Sequence, residues 1–205
     1  MSLNPGGDEP KKRRRGDDLE HALLDAAWAE FTERGFDSFT IDGVAQRAST
    51  SRAVLYRRWP GKTELVAAAT RHATRQQRGP APKPTGSLRG DYIALLTWAN
   101  RTDVRTLVDA TMHVGAYLAA EGLDYRLVRD LFRGPKEERT FSPLEQAAAR
   151  GEVDLDKLTP RMWTIAADMF RYEVVLNQRP LTRTSIEEIV DQVVLPVLAQ
   201  ARVEE

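Results

Sequence analysis

Apolar residues recur along this chain at intervals of three and four, the period of an amphipathic helix, and alternating strand patterns are scarce. From Asp17 to Arg34, the side chains of Leu19, Leu23, Ala26, Ala27 and Phe31 fall on one helical stripe, and Gly35 supplies a stop. Thr40 is placed to cap a short helix that carries Ile41, Val44, Ala45 and Ala48, one buried face over two turns. Ser49-Thr50-Ser51 interrupts the pattern. A second short helix is predicted from Arg52 to about Trp59, ended by Pro60-Gly61.

The clearest break is Gly79-Pro80-Ala81-Pro82-Lys83-Pro84-Thr85-Gly86, which cannot continue a helix and reads as a linker. It divides the chain into a flexible basic arm at 1–16, a head at 17–78 and a larger body at 87–205. In the body the pattern predicts helices near 88–100, 103–121, 124–133, 136–150, 160–178 and 185–203. Thr159-Pro160 is a strong helix start, a capping side chain followed by proline at the first helical position. Ser185-Ile186-Glu187-Glu188 matches a capping box. Pro196 predicts a bend or a local break in the last helix. The fold class expected is all-α, an N-terminal three-helix unit followed by a larger helical domain.

Composition narrows the chemistry. In 205 residues, 41% hydrophobic and 29% charged, there is material for a packed globular core. The apolar runs fall short of the roughly 18 residues of a membrane-spanning helix, so no membrane partner is expected. With no cysteine, disulfides, thiolate metal sites and cysteine nucleophiles are excluded. The run Lys11-Lys12-Arg13-Arg14-Arg15 is followed by Asp17 and Asp18 instead of an apolar stretch, so the cytoplasm is the expected compartment. Net charge is zero, but residues 1–78 hold 14 Lys/Arg against 11 Asp/Glu, and residues 79–205 hold 16 against 19. A basic front and an acidic rear fit a nucleic-acid reader joined to a second domain.

Catalytic signatures fail in turn. Gly61-Lys62-Thr63 resembles the end of a phosphate-binding loop, but Tyr56 stands where that loop needs its first glycine. No nucleophile elbow and no zinc-protease motif occurs. His21, His72 and His113 lack ligand spacing, so no metal and no cofactor is expected, and no catalytic residue is assigned.

Two short helices joined by a tight turn, the second exposed, are the geometry of a helix-turn-helix, whose second helix enters the DNA major groove. Here that helix offers Arg52, Ala53, Arg57 and Arg58 outward, with Leu55 and Trp59 as inward anchors. Tyr56 can bond a phosphate through its hydroxyl. Lys62, at the start of the next helix, adds a charge-assisted phosphate contact. The basic arm reads either as a segment for the minor groove or as a solubilising tail.

The stretch Phe39-Thr40-Ile41-Asp42-Gly43-Val44-Ala45, with Ser51-Arg52-Ala53-Val54-Leu55-Tyr56-Arg57-Arg58-Trp59-Pro60-Gly61-Lys62-Thr63-Glu64-Leu65, resembles the TetR-family DNA-binding signature, and Arg34-Gly35-Phe36 matches as well. Arg150-Gly151-Glu152 and the last two helices resemble actinobacterial-type members. The chain departs from the family at the turn, where Ser49 and Thr50 replace glycine and an aliphatic residue. A positive φ at Ser49 would carry strain that glycine avoids.

The resemblance implies phosphate contacts from Thr40, Ser51, Tyr56 and Lys62, and base contacts from Thr50, Arg52, Ala53 and Arg57. It implies a homodimer on a DNA operator, usually a repressor, although activation stays open. It implies also an unidentified small-molecule effector in the body, with Trp98, His113, Tyr117, Trp163 and Phe170 as the expected lining. By its apolar neighbours, His113 reads as a core histidine in preference to a ligand contact. A regulator without an effector, governed by a protein partner, is the alternative. The final helix carries Ile186, Ile189, Val190, Val193, Val194, Val197 and Leu198, an arc too broad for a single buried stripe. Two-sided burial, or a helix central to its own domain, would explain it; the resemblance implies that the last two helices of each protomer pair in a four-helix bundle, with Tyr172, Val175, Val190, Val193, Val194 and Val197 as the expected dimer interface.

Overall fold

The computed structural model of the protein describes residues 16–109, 111–112 and 141–203. Among these residues the structure is helical, with one isolated antiparallel bridge between Val153 and Arg202. Expected positions His113 and Tyr117, the helices predicted within 113–140, and the basic arm through Arg15 lie outside the described residues.

The head contains α1 (Asp17–Ser38), α2 (Ile41–Arg47), α3 (Arg52–Tyr56) and α4 (Lys62–Arg78). α1 breaks where the sequence places its stop: Gly35 takes φ +70°, ψ 174°, a conformation that only glycine enters cheaply, and a last turn follows to Ser38. Leu23, Ala27 and Phe31 of α1 pack against Leu65, Val66 and Ala69 of α4, and Val44, Leu55 and Trp59 close the same core. This core sets α2 and α3 against α1 and α4. α3 is shorter than predicted; its regular turns end at Tyr56, and Arg57-Arg58 form a turn before the buried Trp59.

The body contains α5 (Leu88–Ala99), helical turns at 104–109, α6 (Pro143–Ala149) and α7 (Pro160–Asn177). A C-terminal rod follows, comprising α8 (Arg183–Glu188), a π-helical stretch (Ile189–Val194) and α9 (Leu195–Leu198). Thr159 caps α7 as expected, accepting from the amide of Met162, with Pro160 in the first turn. The cap of the rod differs from expectation. Thr182, not Ser185, accepts the orphan amide, and Ser185 is the residue whose amide it receives, at 3.1 Å. The buried Leu181 sets this start, held on both sides by Asn100, whose amide donates to its carbonyl and whose oxygen accepts its amide, each at 2.9 Å. The expected break at Pro196 becomes the π-helical stretch before it. Proline lacks an N–H and crowds the carbonyl four residues back, and wider turns absorb that conflict without interrupting the rod.

The second core joins Tyr92 and Leu96 of α5 to Leu144, Phe170, Val174, Ile186, Val190, Val194 and Leu198. A buried carboxylate ties the end of the linker to it. Asp91 is fully buried and accepts from the Thr85 amide at 2.6 Å and hydroxyl at 2.9 Å, with the Arg150 guanidinium 3.0 Å away. Arg150 in turn holds Glu152, so the Arg150-Gly151-Glu152 segment clamps the base of α5.

Head and body meet where α4 ends. Arg78 stacks its guanidinium 5.1 Å from the centre of the Trp98 ring and donates to the Thr102 hydroxyl at 2.6 Å. Burial pushes its pKa down to about 10, which leaves it charged at neutral pH. The Trp98 indole donates to the Gly79 carbonyl, and the Asp103 amide donates to Gln77.

Candidate nucleic-acid interface

The turn between α2 and α3 is built by backbone bonds. The amide of Ala48 donates to Val44, and the amide of Thr50 reaches back to Ala45 at 2.9 Å. Closing this loop requires Ser49 at φ +53°, the left-handed conformation its glycine-free sequence makes costly. At the other end of α2, Thr40 accepts the Gly43 amide at 3.0 Å, which satisfies one orphan donor and fixes where the helix begins.

On α3, Leu55 is fully buried; Ala53 and the C-cap residue Arg57 stand on the opposite side, and Arg52 and Tyr56 flank them, all four exposed. Ser51, at the N-cap, makes no side-chain capping bond, so its exposed hydroxyl is not committed to the helix. Thr40 is exposed and Thr50 half-buried. Arg58 departs from the outward row: half-buried, it turns back to the Val54 carbonyl and lies 3.9 Å from Glu20. Lys62 opens α4 with its ammonium 4.3 Å from the centre of the Phe36 ring and 3.3 Å from the Asp37 carbonyl. Desolvation lowers its pKa, opposed by the charge of Asp37. The expected DNA-contacting residues are thus gathered along α2, the turn, α3 and the start of α4.

Two features were not foreseen. Asp42, on α2, pairs with Arg52 across the turn. Beneath α2, the buried Glu30 of α1 receives Arg34 at 3.2 Å and Arg47 at 3.3 Å, and Arg47 also binds Glu33. The hydrogen bond with Glu33 raises the pKa of Arg47 and lowers that of Glu33. This cluster bolts the end of α2 to α1. A sequence signal for it is Gly43, where any side chain would collide with Glu30.

In the body, Phe170 is buried in the second core and Trp163 packs half-buried beside it, while Trp98 faces the junction with the head. Val190 and Val194 are fully buried in the protomer's own core. Tyr172 and Leu176 are large apolar side chains left exposed on α7, with Val175, Val193 and Val197 half-buried. Among the described residues no cluster of metal-ligating side chains occurs, and no helix is long and apolar enough to cross a membrane.

A three-helix core that presents a short basic helix beside a helical body is the build of a helix-turn-helix DNA-binding protein. Residues 23–69 match the bacterial regulatory proteins of the tetR family, and residues 82–193, more than half of the chain, match the tetracyclin repressor-like C-terminal domain. The chain belongs to the TetR family of DNA-binding helix-turn-helix transcriptional regulators, a family of regulators and not of enzymes. It is 29% identical over 185 residues to the HTH-type transcriptional regulator Rv1556 of Mycobacterium tuberculosis, covering 89% of each chain. It is 28% identical over 201 residues to the DNA-binding transcriptional repressor TetR of Mycobacteroides abscessus, covering 90% of this chain and 96% of that one. With the HTH-type transcriptional regulator YdeS of Bacillus subtilis it shares 30% over 149 residues, covering 71% and 73%.

Proposed function

We propose that the protein is a cytoplasmic homodimeric repressor that sits on a near-palindromic operator and leaves it when a small, largely hydrophobic effector enters the body. The observation that carries this reading is the outward row Arg52, Ala53, Tyr56 and Arg57 on a helix anchored by the buried Leu55 and Trp59. Rigid anchoring holds base-contacting side chains in register, and a small Ala53 lets the helix approach the groove closely. Thr40, Ser51, Tyr56 and Lys62 take the phosphates; Thr50, Arg52, Ala53 and Arg57 face the bases. The name of the mycobacterial relative supports repression as the outcome.

The apolar strip Tyr172, Val175 and Leu176, with Val193 and Val197, supplies the dimer face; Val190 and Val194 support it from within the protomer. Twofold symmetry then sets two recognition helices about 34–36 Å apart, or a multiple of this, on successive half-sites. An effector held near Trp163, Phe170 and Trp98, with His113 and Tyr117, acts only through unequal affinity for the two states of the body. The contacts of Arg78 and Trp98 at the head–body junction give such a difference a route to α4.

The test is a gel shift with duplex DNA flanking the protein's own coding sequence, paired with light scattering and a thermal-shift screen of apolar compounds. A dimer that binds one fragment, and releases it with a stabilising compound, is expected. Equal retention of every fragment at physiological salt overturns the operator assignment. A specific complex that no stabilising compound releases overturns the effector mechanism alone.

A further inference from the structure

Asp42 and Arg52 stand on consecutive helices of the reading head. Arg52 Nε lies 3.1 Å from Asp42 Oδ1, and its Nη1 lies 3.5 Å from Oδ2. Both side chains are well exposed, 65% for Arg52 and 70% for Asp42. A pair so wet adds little to folding, because water screens it and two long side chains lose freedom in forming it. An acidic group on the surface that meets DNA also repels phosphates. A feature that stabilises little and weakens general DNA affinity calls for another role.

The geometry supplies one. The carboxylate meets the guanidinium at Nη1 and beside Nε, and among the described residues Nη2 has no protein acceptor. Arginine on a long stem samples many rotamers, and the planar fork reads guanine O6 and N7 only when it arrives in one orientation. A carboxylate on the neighbouring helix holds the fork before DNA arrives and lowers the ordering cost of the base contact.

We infer that Asp42 is a specificity-determining positioning residue: it orients Arg52 for guanine in the major groove and discourages binding elsewhere. This inference rests on the DNA-reading assignment above. Asp42 acts through Arg52, and its removal has two opposite effects. General affinity rises, because a negative charge leaves the phosphate-facing surface. Discrimination at the base pair read by Arg52 falls, because the fork is no longer held.

The experiment is selection of binding sites from randomised duplex DNA with the full-length chain, its Asp42→Ala and Arg52→Ala variants and the double variant, followed by affinity measurements on single-base-pair changes. The wild type is expected to enrich a motif with one G·C pair per half-site that Arg52→Ala loses. Asp42→Ala should lose about two- to fivefold of the preference at that same pair, the range an exposed pair can supply, while binding scrambled DNA more tightly. In the Arg52→Ala background, Asp42→Ala should change nothing further at that pair, the signature of action through a shared partner. A motif unchanged in Asp42→Ala overturns the inference. So does a loss of preference that persists in the Arg52→Ala background, which would make Asp42 a direct reader of cytosine. A wild type that enriches no motif overturns the DNA-reading assignment itself and this inference with it.

Discussion

Glu30 fills the space in which a side chain on Gly43 would stand. A Cβ at Gly43 would meet the Glu30 carboxylate, with Cδ at 2.7 Å, and would lie 3.0 Å from the Thr40 hydroxyl that caps α2. A surface glutamate would swing aside. Glu30 is almost wholly buried and held by Arg34 and Arg47, so the conflict falls on the packing of α2 against α1.

Gly43→Ala is therefore expected to destabilise the head by about 1–2 kcal/mol and to weaken DNA binding, although alanine is the better helix former. With the carboxylate removed in Glu30→Ala, the same substitution should cost less or reverse sign, since the helix preference then opposes only the 3.0 Å approach to the Thr40 hydroxyl. Urea denaturation of the four proteins reads this directly. A Gly43→Ala effect that is equal in both backgrounds would contradict the packing described here.

The turn carries its own strain. Ser49 sits at φ +53°, where a Cβ costs roughly 1–2 kcal/mol and glycine costs nothing in the fold but loses more freedom on folding. Ser49→Gly should gain about 0.5 kcal/mol net, and Ser49→Val, β-branched at the same φ, should lose about 1–2 kcal/mol. Thermal melts check the order Gly above Ser above Val. If valine matches serine, the turn does not hold its left-handed residue in solution.

A surface clamp on the body titrates. The Arg89 Nε and Nη2 donate to the two oxygens of Asp191 at 2.7 and 2.8 Å, joining α5 to the C-terminal rod. That hydrogen bond is the main cause that holds the Asp191 pKa below its ordinary 3.8. Because the folded value is the lower one, the clamp's contribution is complete above pH 3.8 and disappears as pH falls through the folded value. The gap in Tm between the wild type and Asp191→Asn should be constant from neutral pH down to that range and then close. The pair is exposed, so high salt should narrow the gap throughout. A gap that does not narrow as pH falls below 3.8 would assign the effect to something other than this ion pair.

Much of the head was readable because its determinants are local. Val44, Ala45 and Ala48 mark a buried face within two turns, Gly35 a stop, and Ser49 a strained turn, each by its own chemistry. The Asp42–Arg52 contact was not readable, since it depends on how two helices cross, and neither residue departs from an ordinary surface pattern. The same limit explains the body. An arc of valines and isoleucines announces burial on more than one side without saying which side faces the protomer's own core, and the structure places Val190 and Val194 there. Thr182 and Ser185 are equally good caps by residue type; the choice came from Leu181 and Asn100, 81 residues apart in the chain. Trp98 stands at the junction with the head, where its partners are the carbonyl of Gly79 and the guanidinium of Arg78.

The proposed contacts of the reading surface divide into two classes that substitution should separate. Lys62 is held by the Phe36 ring and the Asp37 carbonyl before DNA arrives, and Tyr56 projects its hydroxyl from the flank of α3. Contacts with phosphate carry no sequence information, so Lys62→Ala and Tyr56→Phe should weaken specific and scrambled DNA by similar factors. Lys62→Ala should also flatten the dependence of log K on log salt by about 0.9, one counterion's worth, whereas the uncharged Tyr56→Phe leaves that slope alone. Arg57, the proposed base reader, stands opposite the buried Leu55. Arg57→Ala should cost about 1–3 kcal/mol more on the preferred site than on scrambled DNA, where only its charge is lost, with preference relaxed at one base pair. Binding isotherms over a range of salt, on the selected site and on a scrambled one, distinguish the classes. Should Arg57→Ala lower both affinities equally, Arg57 belongs with the phosphate contacts and Arg52 carries the arginine readout alone.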